Sequence, residues 1–364
     1  MPDGREYKQN RAMSLKELSR KLGLSQTTVS RALNGYPEVG AKTRERVLKV
    51  AAEMNYRPNR FAKSLATGKS GHIGIIFPVE RKLLATPLFN EFLSGISQFL
   101  VEKDMDLTIM PVKAEQELQA YRALANSGRV DGLILSTPQL NDPRIACLSD
   151  LDVPYIMHGR LHPDDTVNDP GHVTFPYLDI DNQGAFERAT RLLIDMGHEN
   201  IALVNDDPHL TFAHHRLTGY RMALENCGLK FRPENVYSDE MTEERGFHAA
   251  SVALRKSRPP TAFLASSIIL ALGIKRAIRE SGLRPGRDVS IITHDDELPY
   301  LQANKFNPPL TAVTSSICRA GYLIASKLHT LIESPELYQP ASIQKNFQQV
   351  LEIDLIVRNS TSAR

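Results

Sequence analysis

Gln26, Thr27, Ser30 and Arg31 cluster in the stretch SQTTVSRALNG, residues 25–35. These side-chain types reach base edges in a DNA groove: a Gln amide matches adenine, an Arg guanidinium matches guanine, and a Thr methyl packs on the thymine methyl. A second chemistry is offered by Asp295 and Asp296, which follow the run DVSIITH. Paired carboxylates at a strand end suit either acid–base work or the holding of hydroxyl groups. A general base needs a partner on the substrate side, and the sequence shows none. An Asp and an Arg at strand ends match a polyhydroxyl ligand better, as fixed acceptor and forked donor. His209, His214 and His215 invite a metal reading, but no Cys or further His stands at ligand spacing. Histidines facing solvent are therefore expected there. Phosphate loops of the G-x-G-x-x-G or Walker type are missing from the sequence.

The elements that would position the first cluster are legible. Ser14 opens S-LKELSRKL-G as an N-cap, with Glu17 completing a capping box. Leu15, Leu18 and Leu22 recur at helical spacing, and Gly23 supplies a turn. Ser25 caps a second helix over residues 26–33, in which Val29 and Leu33 point inward. Gln26, Thr27, Ser30 and Arg31 are then left on or near its other side. Asn34-Gly35 and Pro37 close that helix. A third helix, Lys42 to Met54, carries Val47, Val50, Ala51 and Met54 as its buried stripe. Two short helices joined by a Gly turn, with a third behind them, form a helix-turn-helix; the competing reading is a plain three-helix bundle with ordinary polar caps.

Pro58 ends the third helix, and Asn59 can cap a short helix RFAKSLAT, which Gly68 terminates. A helix of about two turns is marginal alone in water, so it needs a partner: a second copy, a DNA groove, or, as an ordinary linker helix, the body of the protein. Ala62 and Leu65 are its exposed apolar residues, and Leu65 is the kind of wedge that opens a base step from the minor groove. Residues 1–70 carry 15 basic and six acidic residues, a net +9, whereas the remaining chain carries 29 basic and 36 acidic, a net −7. A basic head on an acidic body is a polarity that a polyanion responds to.

After Gly68 and Gly71 the texture changes. HIGIIFP (72–78), DLTIMP, VDGLILS and VPYIMHG read as strands alternating with helices over 89–103 and 115–126. The pattern restarts with helix 182–196, strand HENIALVND, helix 214–227, a short strand near 235–237, helix 243–256, TAFLAS, helix 268–281 and DVSIITHDD. PPLTAV then leads to helix 317–332 and a last strand, LEIDLIVR. Alternation of this kind implies open parallel α/β sheets with binding loops at the strands' carboxyl ends. Two successive units imply two lobes with a cleft between them, the favoured place for a small ligand.

With 364 residues, 41% hydrophobic and 24% charged, the chain suits two or three domains. It has no apolar run long enough to span a membrane and its N-terminus lacks the apolar region of a secretory signal. Cys147, Cys227 and Cys318 are odd in number and widely spaced, which points to a reducing cytoplasm and buried thiols.

The run from Ser14 to Gly68, SLKELSRKLGLSQTTVSRALNG through TRERV to NYRPNRFAKSLATG, resembles the head of the lactose-repressor (LacI) family. The body resembles the same family through RVDGLIL, DNQGA, GHENIAL, HRLTGY, PTAFLAS, ALG, DVSIITHDD and PPLTAV. The resemblance implies an all-α helix-turn-helix head (11–58) plus a short hinge helix (59–67) and linker (68–71). These join a two-lobed α/β periplasmic-binding-protein-like core. Its N-lobe would take 72–178 with a return segment near 314–338, and its C-lobe 179–313 with a final strand at about 339–358. By the same resemblance Gln26 and Thr27 read operator bases with Arg31 assisting, and Asn59, Ala62 and Leu65 belong to the hinge helix, Leu65 intercalating. Arg216 grips an effector's hydroxyl groups and Asp295 shares that work. Phe89, from PLFNEF, forms a pocket wall, and Ile317 is a further pocket residue. Ser19 stands where alanine is usual, Gly40 where a Ser or Thr cap is common, Ser267-Ile268 where Asn-Asp is usual, and Gly159-Arg160 where Asp-Arg is usual; Ser267, which can still hydrogen bond, and Arg160 are expected to bind the effector as well.

The implied protein is a homodimeric, cytoplasmic transcriptional repressor of carbohydrate-utilisation genes, binding a pseudo-palindromic double-stranded operator. A sugar-like effector switches it, as inducer or corepressor, with no cofactor, metal, membrane or enzymatic step. A nucleobase is a poorer effector candidate, because this lobe offers no stacking residue. The lack of a leucine-heptad tail favours a dimer over a tetramer. The rival from another class is a solute-binding protein with the same core; the basic head and the missing export signal speak against it.

Overall fold

The computed structural model describes residues 14–33, 35–56, 68–81, 83–161 and 174–364. The chain forms two compact units that divide between Ser70 and Gly71.

The first unit is built on three helices, α1 (Leu15–Leu22), α2 (Gln26–Leu33) and α3 (Ala41–Glu53). The Ser14 hydroxyl accepts from Glu17 N at 3.3 Å while the Glu17 carboxylate accepts from Ser14 N at 2.8 Å, closing the capping box. Gly23, at φ 65°, ends α1 in the left-handed region that favours glycine. Ser25 Oγ accepts from Thr28 N at 3.0 Å and starts α2. Ser19, in place of alanine, is buried, and its hydroxyl folds back onto Lys16 O at 3.0 Å. Gly40 opens α3 without a side-chain cap. The core joins Leu18, Leu22, Val29, Ala32, Val39, Val47 and Ala51. Leu33, expected inward, is only half-buried: Ala32, three residues after Val29, takes the inner position, and Leu33 packs at its margin.

The second unit contains two six-stranded sheets. The first uses β1 (His72–Pro78), β2 (Asp106–Val112), β3 (Gly132–Ser136), β4 (Tyr155–His158), β5 (Tyr177–Ile180) and β11 (Gln348–Leu351), in the order β11-β5-β4-β3-β1-β2, all parallel. The second uses β6 (Ile201–Asn205), β7 (Val236–Ser238), β8 (Ala262–Ala265), β9 (Ser290–Asp295), β10 (Thr311–Thr314) and β12 (Asp354–Ile356). Its order is β12-β10-β9-β8-β6-β7, with only β12 antiparallel. Helices α4 (Pro87–Glu102), α5 (Glu117–Ala125), α6 (Pro143–Ser149), α11 (Ile317–Glu333) and α12 (Pro340–Asn346) accompany the first sheet. Helices α7 (Asn182–Asp195), α8 (Thr211–Asn226), α9 (Glu243–Leu254) and α10 (Ile268–Glu280) accompany the second. Parallel strands covered on both faces explain the nearly continuous apolar runs of β1, β3 and β6. The α4–α11 contact is glycine-mediated: a Cβ on Gly95 would sit 1.8 Å from Cys318 O, and one on Gly321 2.1 Å from Phe92 O.

Among the described residues the chain crosses between sheets three times: after β5 into α7, after β10 into α11, and between β11 and β12. Two expectations change here. Segment 339–358 does not belong to the C-lobe as a whole; α12 packs beside β11, which pairs with β5 in the first sheet, and only β12 joins the second. The extended run LEIDLIVR breaks at Glu352-Ile353, where the chain changes sheet. The N-lobe likewise reaches past 178, because β5 runs to Ile180.

Candidate nucleic-acid interface and ligand cleft

In the first unit, Gln26, Thr27 and Arg31 are exposed and Ser30 is half-exposed, while Val29 and Ala32 are buried on the opposite side of α2. The four polar residues thus form one accessible face, at the start of a helix held rigidly by its core. The Arg46 guanidinium donates to Leu22 O, tying α3 to the end of α1, and Arg44 donates to Tyr36 O at 2.7 Å, bracing the turn after α2. Asn59, Ala62 and Leu65, with the rest of the expected hinge helix, lie outside the described residues.

In the second unit, parallel strands deliver their carboxyl ends to one region between the lobes. Its centre is Arg216, on α8. Its Nε donates to Asn182 Oδ1 at 2.7 Å, Nη1 donates to Ser266 O, and Nη2 lies 3.2 Å from His294 Nδ1. Phe186 and Phe212 lie 5.2 and 5.0 Å from the guanidinium carbon. Burial lowers the Arg216 pKa, and Asp296, Asp206 and Asp179 oppose that shift. Burial also raises the Asp179 and Asp206 carboxyls, each to about 6, against the pull of the nearby guanidiniums. Asp296 goes the other way: burial pushes it up, but His294, Arg216 and His158 outweigh burial and hold it below the usual range. His294 Nδ1 lies 3.3 Å from Asp296 Oδ1, and its Nε2 lies 3.0 Å from Ser315 Oγ. A ring nitrogen that accepts from Arg216 cannot also donate to Asp296, so the imidazole's tautomer decides which of these two partners Nδ1 bonds.

His158, at the end of β4, belongs to the other lobe. It stacks on Phe92 at 4.4 Å, and burial lowers its pKa to about 4 despite the attraction of Asp296. Arg160 Nε lies 3.3 Å from Asp179 Oδ2. Further out, the lobes are joined by backbone: Leu140 N donates to His209 O at 2.8 Å, and Thr211 N donates to Pro138 O at 3.1 Å. The loop making these contacts is held by a buried ion cluster in which Arg144 meets Asp142 at 2.6 Å and Glu117 at 3.1 Å, and donates to Thr137 O at 3.0 Å.

Of the expected effector residues, Arg216 and Arg160 come together here through Asp179. Ile317 sits beside them, its N–H donating to Asp296 O at 3.3 Å. Asp295 does not join them. Its oxygens accept from Glu297 N at 3.0 Å and Ala303 N at 2.8 Å, fixing its own loop, and Asp296 occupies the site instead. Side chains alternate at a strand end, so two adjacent acids cannot share a face. Asp295 instead borders an open cavity of about 400 Å³ shared with Gln302, Asn304 and Arg358, a space that contains none of the Arg216 cluster. Ser267 is fully buried, its oxygen capping α10 by accepting from Ile269 N at 3.0 Å. Phe89 packs in the first lobe's core, edge-to-face with Phe77 at 5.4 Å. His209 is exposed and pairs with Asp207, whereas His215 is buried, correcting the expectation that both His214 and His215 face solvent. Cys147 is buried, but Cys227 and Cys318 are half-buried. Among the described residues no cluster of His, Cys, Asp and Glu is arranged to hold a metal ion, and no helix is long and apolar enough to cross a membrane.

Sequence reasoning missed Asp179, Asn182, Asp206, Ser266 and His294 as site members. Asn182 stands in the DNQGA landmark and His294 in THDD, but no spacing rule links either to Arg216.

A helix-turn-helix head and a two-lobed core with a buried polar centre define a ligand-responsive DNA-binding regulator. Residues 14–59 match the family of bacterial regulatory proteins, lacI family, and residues 70–350 match periplasmic binding proteins and the sugar binding domain of the LacI family. The chain belongs to the LacI family, and it is a DNA-binding transcriptional regulator. It is 44% identical over 96% of its length, and 94% of the relative's, to the HTH-type transcriptional regulator AglR of Rhizobium meliloti (strain 1021). It is 33% identical to the HTH-type transcriptional regulator RafR of Escherichia coli, over 78% of this chain and 82% of RafR. Among solved structures it resembles the lac repressor dimer bound to operator and the anti-inducer ONPF, with a TM-score of 0.79, 26% identity and coverage of 97% of this chain and 100% of that one. It also resembles a transcriptional regulator CelR–cellobiose complex, with a TM-score of 0.68, 27% identity and coverage of 96% and 99%.

Proposed function

We propose that this regulator is a cytoplasmic homodimeric repressor of carbohydrate-utilisation genes, whose operator affinity is switched by a small sugar-like effector held between the lobes. The observation that carries this reading is Arg216, a buried guanidinium amid three carboxylates where both lobes' strand ends meet. An apolar core has no use for such a group, whereas a hydroxyl-rich ligand does. The CelR neighbour solved with cellobiose, and the lac repressor dimer solved on its operator, support the ligand class and the assembly.

In this reading residues 11–58 bind DNA, with Gln26, Thr27, Ser30 and Arg31 facing bases. Residues 59–67 form the hinge helix, through which Asn59, Ala62 and Leu65 reach the minor groove, and 68–71 link it to the core. Arg216, Asp296, Asp179, Asp206 and Arg160 face the effector, with Ile317 and Phe89 supporting the pocket wall. The protein acts by binding and not by turnover. The effector shifts operator affinity only to the extent that it prefers one lobe arrangement over the other. The direct test is binding of the full-length chain to short operator duplexes over a range of salt, with and without sugars first identified by a rise in melting temperature. A sugar that binds without changing operator affinity would refute the switch.

A further inference from the structure

The polar groups at the cleft are unbalanced in both charge and hydrogen-bonding type. Asp179, Asp206 and Asp296 are 6, 7 and 8% exposed, and all three lie within electrostatic reach of Arg216. Arg160, beside Asp179, is the second cation. Three carboxylates therefore face two guanidiniums.

The central guanidinium is not open as a fork. Arg216 is engaged along its Nε, Nη1 and Nη2 by Asn182, Ser266 O and His294, and its surroundings include two phenyl rings. Arg160 directs its Nε at Asp179. An anionic ligand gains most from a bidentate arginine, and at Arg216, the centre of the site, that contact is already occupied. Acceptors, by contrast, remain. Asp179 Oδ2, ion-paired with Arg160 Nε at 3.3 Å, and Asn205 Oδ1 are buried without a hydrogen-bond partner, as are the hydroxyls of Ser266 and Thr211; on the donor side Arg160 Nε is in the same position. The four acceptor residues are more than nine-tenths buried, and they stand at the ends of β5, β6 and β8 and at the start of α8. Buried polar atoms without partners are uncommon in folded proteins, and these would be completed by donors arriving from a ligand.

We infer that the cleft selects neutral sugars, whose hydroxyls donate to its carboxylates, and rejects uronates and sugar phosphates. This inference rests on the effector reading above and narrows it to a charge class. A carboxylate or phosphate placed beside Asp206 or Asp179 meets like charge in a poorly solvated site, a juxtaposition that disfavours the wrong partner strongly.

The test is calorimetric titration of the full-length chain with matched probes: glucose, galactose and their methyl glycosides and disaccharides, each against its 6-carboxylate and 6-phosphate form. Any neutral sugar that binds is expected to bind at least about 100-fold more tightly than its acidic counterparts. Asp206→Asn, which removes charge and keeps shape, is expected to narrow that gap by about 10-fold or more; Asp179→Asn provides the same readout should Asp206→Asn fail to fold. An acidic form that binds as tightly as its neutral parent overturns the inference and leaves the effector reading standing. If no probe of either charge binds to a folded, operator-competent protein, the effector reading falls and takes the inference with it.

Discussion

Leu140 donates its backbone N–H to the carbonyl of His209 at 2.8 Å, so a loop of one lobe is hydrogen-bonded to a loop of the other. Beside it, Thr211 N reaches Pro138 O at 3.1 Å, and Gln139 and Leu210 form an antiparallel bridge. This small two-sided ribbon joins the two lobes through backbone groups. Its N-lobe side is shaped by Asp142, which accepts from Gln139 N at 3.0 Å and is itself paired with Arg144. A contact made by backbone is indifferent to side-chain identity at its tip but depends on the ion cluster behind it.

Thr211→Pro tests the ribbon. Thr211 is the first residue of α8, where proline is favoured, and Leu210 before it is already extended at φ −83°, ψ 132°. The substitution removes the N–H that crosses between lobes and, with it, the buried Thr211 hydroxyl, whose separate effect Thr211→Val measures. Effector affinity is expected to fall by about 2- to 12-fold, the worth of one hydrogen bond of roughly 0.5–1.5 kcal/mol, as read by calorimetry. Unchanged affinity would show that the ribbon has no part in closure.

Arg216→Lys keeps one positive charge but not the planar fork that serves Asn182, Ser266 and His294 together. The variant is expected to bind operator with wild-type affinity and to lose its response to sugar, measured by anisotropy of a labelled duplex. A normal response would remove Arg216 from the effector site.

The raised carboxyls make a pH prediction. Asp179, facing Arg160, Arg216 and Asp181, and Asp206, facing Arg216, Asp207 and Glu240, both titrate near 6 in the folded chain against 3.8 when exposed. The folded state holds these protons more tightly, so the stability they contribute is complete below about pH 3.8 and is lost as pH rises through about 6. Denaturant unfolding between pH 4 and 7 should show this decline in the wild type and a flatter profile in the Asp179→Asn, Asp206→Asn double variant. Parallel profiles would mean that the two groups titrate normally.

Gly95→Ala places a methyl group 1.8 Å from Cys318 O, against backbone that cannot move aside as a side chain would. The expected loss is about 2 kcal/mol or more, read as a lower denaturation midpoint of the core with an unchanged head.

Legibility in the sequence followed the reach of each signal. The head was readable because its caps and apolar stripes are local: Ser14, Glu17, Gly23 and Val29 all act within one or two turns. HIGIIFP and VDGLIL were readable because strands buried on both faces are apolar throughout. YLDI was not, since β5 has four residues and no distinctive pattern, and β11 and β12 merged into one run because pairing partners leave no mark on composition. At the cleft, HRLTGY pointed to Arg216 through family resemblance. Asp295 and Asp296 could not be told apart, because only the fold decides which side of β9 faces the other lobe. Ser266 and Ser267 posed the same problem. Asp206 and His158 come from different lobes and meet the site only in three dimensions.

The central claim is that one molecule couples the Gln26–Arg31 face to the Arg216 cluster. The most direct measurement is operator affinity of the full-length chain, by anisotropy on a labelled duplex, with increasing amounts of a neutral sugar shown by calorimetry to bind. The expected result is an affinity that falls steeply with salt, shifts by about 10-fold or more as the sugar saturates, and changes its base preference in Gln26→Ala. Operator affinity that stays constant while the sugar fills its site would contradict the account.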